Sequence, residues 1–351
     1  MQERIHGLLL GMAVGDALGL PYENLSAKQA LALGPPEQMR FWRGRGMVSD
    51  DTELALLTVE ALLKSSGDTR HFQKVLKRSL IGWGARVPFG AGQATLQAIV
   101  RLSLGFSPER SGVHSAGSGP LTRSLPLGLL VTDPQRLRLL VRASTRITHT
   151  DIRAERAALV MAVAARFVLE YKNIQLASFL EELPHWIPEE EDHELWGKMA
   201  LLSHSLELSE DTHTFAQHLG MKQGVKGYVY DILPVVLHAW FSFPNRYKEA
   251  VQSVISLGGD TDTMAALVGG LVGIRVSADG IPPEWVQQLW EPLYSPAHLE
   301  WFSAILEENR SQDLKRFSPT LQFMRQWTFN GLVMGHVLRR MLWVFQRSPK
   351  G

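Results

Sequence analysis

Helical periodicity runs through most of the chain. Apolar residues recur at three- and four-residue steps. They predict helices over 53–64, 71–82, 92–104, 134–146, 152–171, 174–183, 194–207, 211–218, 227–241, 246–256, 263–274 and 284–292. Residues 3–19 carry a second pattern, with Gly7, Gly11, Gly15 and Gly19 at intervals of four. On a helix these lie along one face and let another backbone approach closely, which predicts a buried, tightly packed first helix. No alternating runs bounded by hairpin turns are evident. Gly and Pro mark loops at 34–36, 87–90 and 105–120, and Pro184 to Asp192 forms an acidic connection. The 105–120 loop is long for a connection, as functional or mobile loops are. There is no convincing internal repeat, and the pattern as a whole predicts an all-α fold.

Composition narrows this picture. The 351 residues fit one large domain or two ordinary ones and can bury a substantial core. With 36 basic and 35 acidic residues the formal charge is +1, so the whole chain carries no signal for nucleic acid. The absence of cysteine excludes disulfides, thiolate metal sites and a cysteine nucleophile. The apolar run Leu8 to Gly15 is stopped by Asp16 and is too short to span a bilayer, and no secretory signal is evident. The expectation is a soluble, cytoplasmic protein.

The chemistry is concentrated in two acidic motifs far apart in sequence, Ser49-Asp50-Asp51-Thr52 and Gly258-Gly259-Asp260-Thr261-Asp262-Thr263. Each opens an apolar helical run. Either can serve simply as a helix cap, because an aspartate meets the positive end of the helix dipole. Asp50 with Glu53 fits a capping box, and Thr261 or Asp262 can cap the later helix. A cap, however, needs one oxygen, and each motif offers two carboxylates and a hydroxyl. Four carboxylates meeting at one point make a site for two divalent cations, Mg²⁺ or Mn²⁺. Such a site has to be assembled by packing helices together, which favours one domain over two. Asp16 is either a fifth member or a hydrogen-bonded acid ending the first helix.

Two glycine loops add anion-binding capacity. Phe89-Gly90-Ala91-Gly92-Gln93-Ala94-Thr95 opens a helix, where free N–H groups suit a pyrophosphate, and Gly117-Ser118-Gly119-Pro120-Leu121-Thr122-Arg123 is a second such loop. Glycine in a turn is the plain alternative for both. Arg123 suits a phosphate or a carboxylate. Phe89 and Trp83 suit adenine stacking or the core.

Gly15-Asp16-Ala17-Leu18-Gly19 with Glu23, Ser49-Asp50-Asp51-Thr52, Thr148-His149-Thr150-Asp151 and Gly258 to Thr263 together resemble the ordered signature of the ADP-ribosylglycohydrolase family, over roughly residues 4 to 275. The resemblance implies an all-α, orthogonally packed single domain with a binuclear Mg²⁺ or Mn²⁺ centre in a central cleft. It implies hydrolysis of the bond between ADP-ribose and an acceptor side chain, with an ADP-ribosylated protein or peptide as partner and ADP-ribose as product. By position it assigns Ser49, Asp50 and Asp51 to one metal, and Asp260, Asp262 and Thr263 to the other, with Asp262 bridging. Glu23 matches a glutamate that the family places over the substrate ribose and is the first candidate for proton transfer, with Asp50 or Asp51 as substitutes. Phe89, Gly90, Gly92, Gly117, Ser118, Gly119 and His149 are assigned to ADP-ribose, and Asp151 to a helix cap. Ser118 and Thr122 depart from the family's usual Asn and Met. The stretch Arg86 to Gly90 lacks an acid that some members carry. Arginine is slightly favoured over serine as acceptor. The competing expectations are a catalytically silent nucleotide binder and a structural protein that kept the fold.

Residues 280–351 extend beyond the 1–279 segment and are expected to pack on it. Leu338 to Arg347 is basic and amphipathic, fitting either a terminal helix that covers the core or a contact with a partner or membrane surface.

Overall fold

A computed structural model describes residues 1–315 and 317–347, with side chains described through Leu338. Among them there are helices and isolated bridges but no strands. The helices that position the site are α1 (Gln2–Gly19), α2 (Asp50–Ser65), α3 (Thr69–Gly84), α4 (Gln93–Ser103), α5 (Gly119–Leu130), α6 (Ile152–Glu170), α7 (Val229–Ser242), α8 (Thr261–Val276), α9 (Pro296–Glu307) and α10 (Pro319–Arg347).

The centre of the molecule is the pair α1 and α8. A Cβ added at Gly7, Gly11, Gly15 or Gly19 would lie 2.1, 2.3, 2.1 and 2.4 Å from the carbonyl oxygens of Gly273, Gly269, Ala265 and Thr261 respectively. Partner numbers fall as the glycine numbers rise, so the helices run antiparallel with their backbones in contact. The four-residue glycine spacing therefore has a direct physical cause. Gly269 and Gly273 return the same contact from α8. Burial on all sides explains why the central turns of both helices are apolar on every face, with Leu8, Leu9, Leu10, Val14, Leu267, Val268 and Leu271 in the core. The stretch Gln2–Tyr22 has the length and hydropathy of a membrane span, longer than the apolar run read from sequence, but 94% of its most apolar window is buried inside the protein.

Around this pair the core continues without interruption from Ile5 to Leu306. α5 lies against α6, where a Cβ at Gly128 would come within 1.9 Å of the Ala162 carbonyl oxygen. α9 lies on α1. α10 is anchored by Arg325, which is 2% exposed and donates to Glu53 at 3.0 Å, to Glu291 at 2.8 Å and to the Val48 carbonyl at 2.6 Å. Burial works against that charge, but Glu291 and Glu53 outweigh it and raise its pKa. Phe323, Met324, Trp327, Met334 and Leu338 of the same helix are exposed. Beyond Leu338 the side chains of the basic amphipathic stretch lie outside the described residues.

Two expectations change. Glu53 closes no capping box: its carboxylate turns inward to Arg325 and to Trp83, whose indole N–H donates at 3.1 Å. Trp83 is accordingly a core residue, 1% exposed, and not a stacking platform. Residues 119–130, read as loop and unassigned sequence, form α5.

Candidate active site

Because α1 and α8 run antiparallel, the end of one and the start of the other coincide. Asp16 and the 260–263 motif are thereby neighbours. Asp16 is fully buried and accepts from the Ser49 N–H at 3.0 Å, the Thr52 N–H at 3.2 Å and the Thr52 hydroxyl at 2.5 Å. It thus caps α2 from a different helix and fixes the first acidic motif to the end of α1. Burial pushes its pKa up to about 6, against those hydrogen bonds.

The second motif is shaped by its glycines. Gly258 and Gly259 have φ of 69° and 87°, and a Cβ at Gly259 would stand 1.9 Å from the Val225 carbonyl oxygen. This tight turn lets residues 23–25 and 225 lace onto it. The Asn24 N–H donates to Gly259 O at 2.8 Å, the Gly259 N–H to Leu25 O at 2.8 Å, and the Asp260 N–H to Val225 O at 2.8 Å. Glu23 is brought to the same place by this lacing.

The two motifs touch. The Thr263 hydroxyl of the late motif donates to Asp51 of the early one at 2.7 Å, and the Thr122 hydroxyl of α5 donates to the other Asp51 oxygen at 3.2 Å. Ser118 donates to Asp260 at 2.9 Å. A cleft of about 590 Å³ opens over this junction. Glu23, Asp50, Asp51, Asp260, Asp262 and Thr263 line it, together with Gly90, Gly92, Gly117, Ser118, Gly119 and His149. Ser49 and Phe89 are absent from the lining. The Ser49 hydroxyl accepts from the Asp51 N–H at 3.2 Å as the α2 N-cap, and Phe89 is 37% exposed beside the cleft.

The electrostatics of the lining are one-sided. Burial, then repulsion from Asp16 and Glu23, pushes Asp50 up to about 8. Burial and neighbouring carboxylates drive Asp51 and Asp262 well above the usual carboxylate range, and burial raises Asp260. Asp262 Oδ1 is buried and makes no hydrogen bond. Among the described residues no three His, Asp or Glu side chains are already drawn together as a closed metal-binding group. The donor set nevertheless fits a hard divalent cation. It is all oxygen, it carries more negative charge than its burial supports, and it keeps an orphaned carboxylate oxygen.

On the opposite side, the His149 ring Nδ1 meets the Thr148 hydroxyl at 2.8 Å, and Arg123 donates to that hydroxyl at 2.6 Å. Burial and the Arg123 charge lower His149 to about 3, so the imidazole is neutral at physiological pH. Its Nε2 faces the second glycine loop, since a Cβ at Gly117 would meet that atom at 3.1 Å. Arg123 itself is fully buried behind His149 and reaches neither the cleft nor a carboxylate, which corrects both expectations for it. Asp151 caps α6, accepting from the Arg153 N–H at 2.9 Å, as its position implied.

The cleft also contains residues outside the motifs recognised in the sequence: Asn24, Gln97, Val225, Lys226 and Gly227. Gln97 lies two residues past the Phe89–Thr95 loop, whose Gln93 and Thr95 also line the cleft, and the helix start there was signal enough to include it. Val225 to Gly227 had no such signal, because nothing local shows that this connection lies along Gly259.

The ADP-ribosylglycohydrolase family model matches residues 1–314. The chain is 26% identical to ADP-ribosylhydrolase ARH3 of Gallus gallus, over 81% of this chain and 88% of that protein. It is 26% identical to the ADP-ribosyl-[dinitrogen reductase] glycohydrolase of Rhodospirillum rubrum, over 82% of this chain and 91% of that one. Among solved structures, an ADP-ribosylglycohydrolase-related protein complex superposes with a TM-score of 0.62 at 25% identity, covering 88% of this chain and 98% of that one.

Proposed function

This chain belongs to the ADP-ribosylglycohydrolase family, and from that premise we propose that it is a divalent-cation-dependent hydrolase that releases ADP-ribose from an acceptor side chain. The single observation that carries the reading is the junction of the two acidic motifs, where Thr263 meets Asp51 at 2.7 Å at the floor of the cleft.

The Ser49 and Thr263 hydroxyls with Asp50, Asp51, Asp260 and Asp262 would hold two Mg²⁺ or Mn²⁺ ions. Such ions supply Lewis-acid stabilisation and a means of orienting hydroxyls and water. The other tasks fall to the chain itself. The Gly90–Gly92 and Gly117–Gly119 turns offer backbone N–H groups to the diphosphate. Neutral His149 adds no charge beside them, so it contacts the nucleotide as a hydrogen-bonding ring. Breaking the C1″ bond builds positive charge on the ribose, which the acidic floor favours. Glu23 lines the cleft outside both acidic motifs and takes or gives the proton at the acceptor side. Its negative charge complements a guanidinium, which supports an arginine N-linkage ahead of a serine O-linkage.

Incubation with arginine-linked and serine-linked ADP-ribosyl peptides, with and without Mg²⁺ or Mn²⁺, tests the proposal. Cation-dependent release of ADP-ribose from the arginine-linked peptide is expected. Release from the serine-linked peptide alone reverses the acceptor preference, and release from neither overturns the function.

A further inference from the structure

α10 begins after residue 314, where the family match ends, yet it grips the segment 86–89 that leads into the cleft. Asn330 is 4% exposed and donates from Nδ2 to the Val87 carbonyl at 2.9 Å. Its Oδ1 accepts from the Phe89 N–H at 3.2 Å and from Gln326 Nε2 at 3.0 Å. About two turns earlier, Gln322 accepts from the Arg86 guanidinium. The segment so gripped leads into Gly90 and Gly92 of the cleft lining.

That segment needs gripping. Val87 has φ of 57°, a left-handed conformation that a β-branched side chain resists, and Gly90 follows at 88°. A strained residue holds such a conformation only where its surroundings impose it. Here one buried amide ties the strained residue to the chain just after it, taking the carbonyl of Val87 and, across Pro88, the N–H of Phe89. Only a side chain with a donor and an acceptor on one planar group does both, so aspartate and leucine cannot replace it. Six residues further along, α10 brings the His336 ring nitrogen within 3.2 Å of the Pro21 carbonyl, two residues before Glu23. The helix therefore contacts two segments that lead into the cleft, 86–89 before Gly90 and Pro21 before Glu23.

We propose that Asn330 is a positioning residue for substrate binding: it fixes Val87 and Phe89 so that the Gly90–Gly92 turn is preset for the ADP-ribose moiety. The inference rests on the functional reading above. A role confined to anchoring α10 would lower stability and leave ligand affinity alone.

The test compares wild type, Asn330→Ala, Asn330→Asp and Phe329→Leu. Phe329 secures the same helix by packing on Phe41, with ring centroids 5.7 Å apart. ADP-ribose binding is titrated by calorimetry, and amide exchange is followed over 87–92. Asn330→Ala and Asn330→Asp should bind ADP-ribose about tenfold more weakly and exchange faster over 87–92. In turnover, KM should rise with kcat nearly unchanged. Phe329→Leu should melt earlier with affinity within about twofold of wild type. Unchanged exchange and affinity in Asn330→Ala, or an equal loss in Phe329→Leu, overturns the proposal. A wild type that fails to bind ADP-ribose sinks the functional reading instead, while the exchange comparison still decides whether Asn330 holds the turn.

Discussion

Asp16 and Asp262 are both buried, and their hydrogen bonds separate their roles. Every donor around Asp16 belongs to the start of α2, so this carboxylate is a structural pin. Asp16→Ala should lose about 2–4 kcal/mol in urea denaturation, because it leaves buried N–H groups unpaired. Asp262 keeps an oxygen without a partner amid like charges. Asp262→Asn should therefore leave the cation-free protein as stable as wild type or more so, while turnover falls by at least about a thousandfold. Turnover that survives both this change and Asp260→Ala removes the cation-binding reading. Glu23→Gln should slow turnover more than it weakens ADP-ribose binding; the reverse pattern makes Glu23 a clamp. The aspartates were legible because two carboxylates and a hydroxyl exceed what a cap requires. The capping box expected at Glu53 failed because local spacing offers several uses for one oxygen. For Glu53 the deciding partner, Arg325, lies 272 residues away.

At the level of elements, the four-residue glycine spacing announced close helix contact but not the partner. The structure supplies it in α8, where one pair four residues apart, Gly269 and Gly273, answers the longer glycine series of α1. Gly15→Ala should cost about 3 kcal/mol or more, or prevent folding, since the added Cβ would meet backbone at 2.1 Å. Gly82→Ala in α3 is the contrasting change. Nothing lies within 4 Å of its Cβ position, and it should gain about 0.5–1 kcal/mol. Thermal melts of the two variants compare them directly. α5 was illegible for a physical reason. It carries Pro120, Pro126 and Gly128, and its residues from Pro120 to Leu129 are all buried, so neither propensity nor a polar face marks it.

For the whole molecule, assembly of the acidic floor has a pH signature. Asp50 sits near 8 in the folded chain against 3.8 without its surroundings, and burial and repulsion also raise Asp51 and Asp262. The folded chain therefore binds more protons than the unfolded one over this interval, and stability falls as pH rises. Buried His149 and His238, lowered to about 3 and about 4 by burial, act in the opposite sense below 6.5. The window that isolates the carboxylates is pH 6.5 to 8. There the cation-free protein should lose about 1–2 kcal/mol of stability, and Mg²⁺ or Mn²⁺ should restore it, more at the higher pH. Calorimetry in chelator and in Mg²⁺ measures both. The sequence shows that early and late motifs share a chemistry, but not that α10 grips a segment leading into the cleft, because Asn330 and Val87 signal nothing until they meet. The central claim is that the joined aspartate motifs form a cation-dependent site for cleaving ADP-ribose from its acceptor. The most direct measurement is ADP-ribose released from an arginine-linked ADP-ribosyl peptide by wild type and Asp262→Asn, in Mg²⁺ and in chelator. Release by wild type in Mg²⁺ alone is predicted; release undiminished by chelator and by the substitution contradicts it.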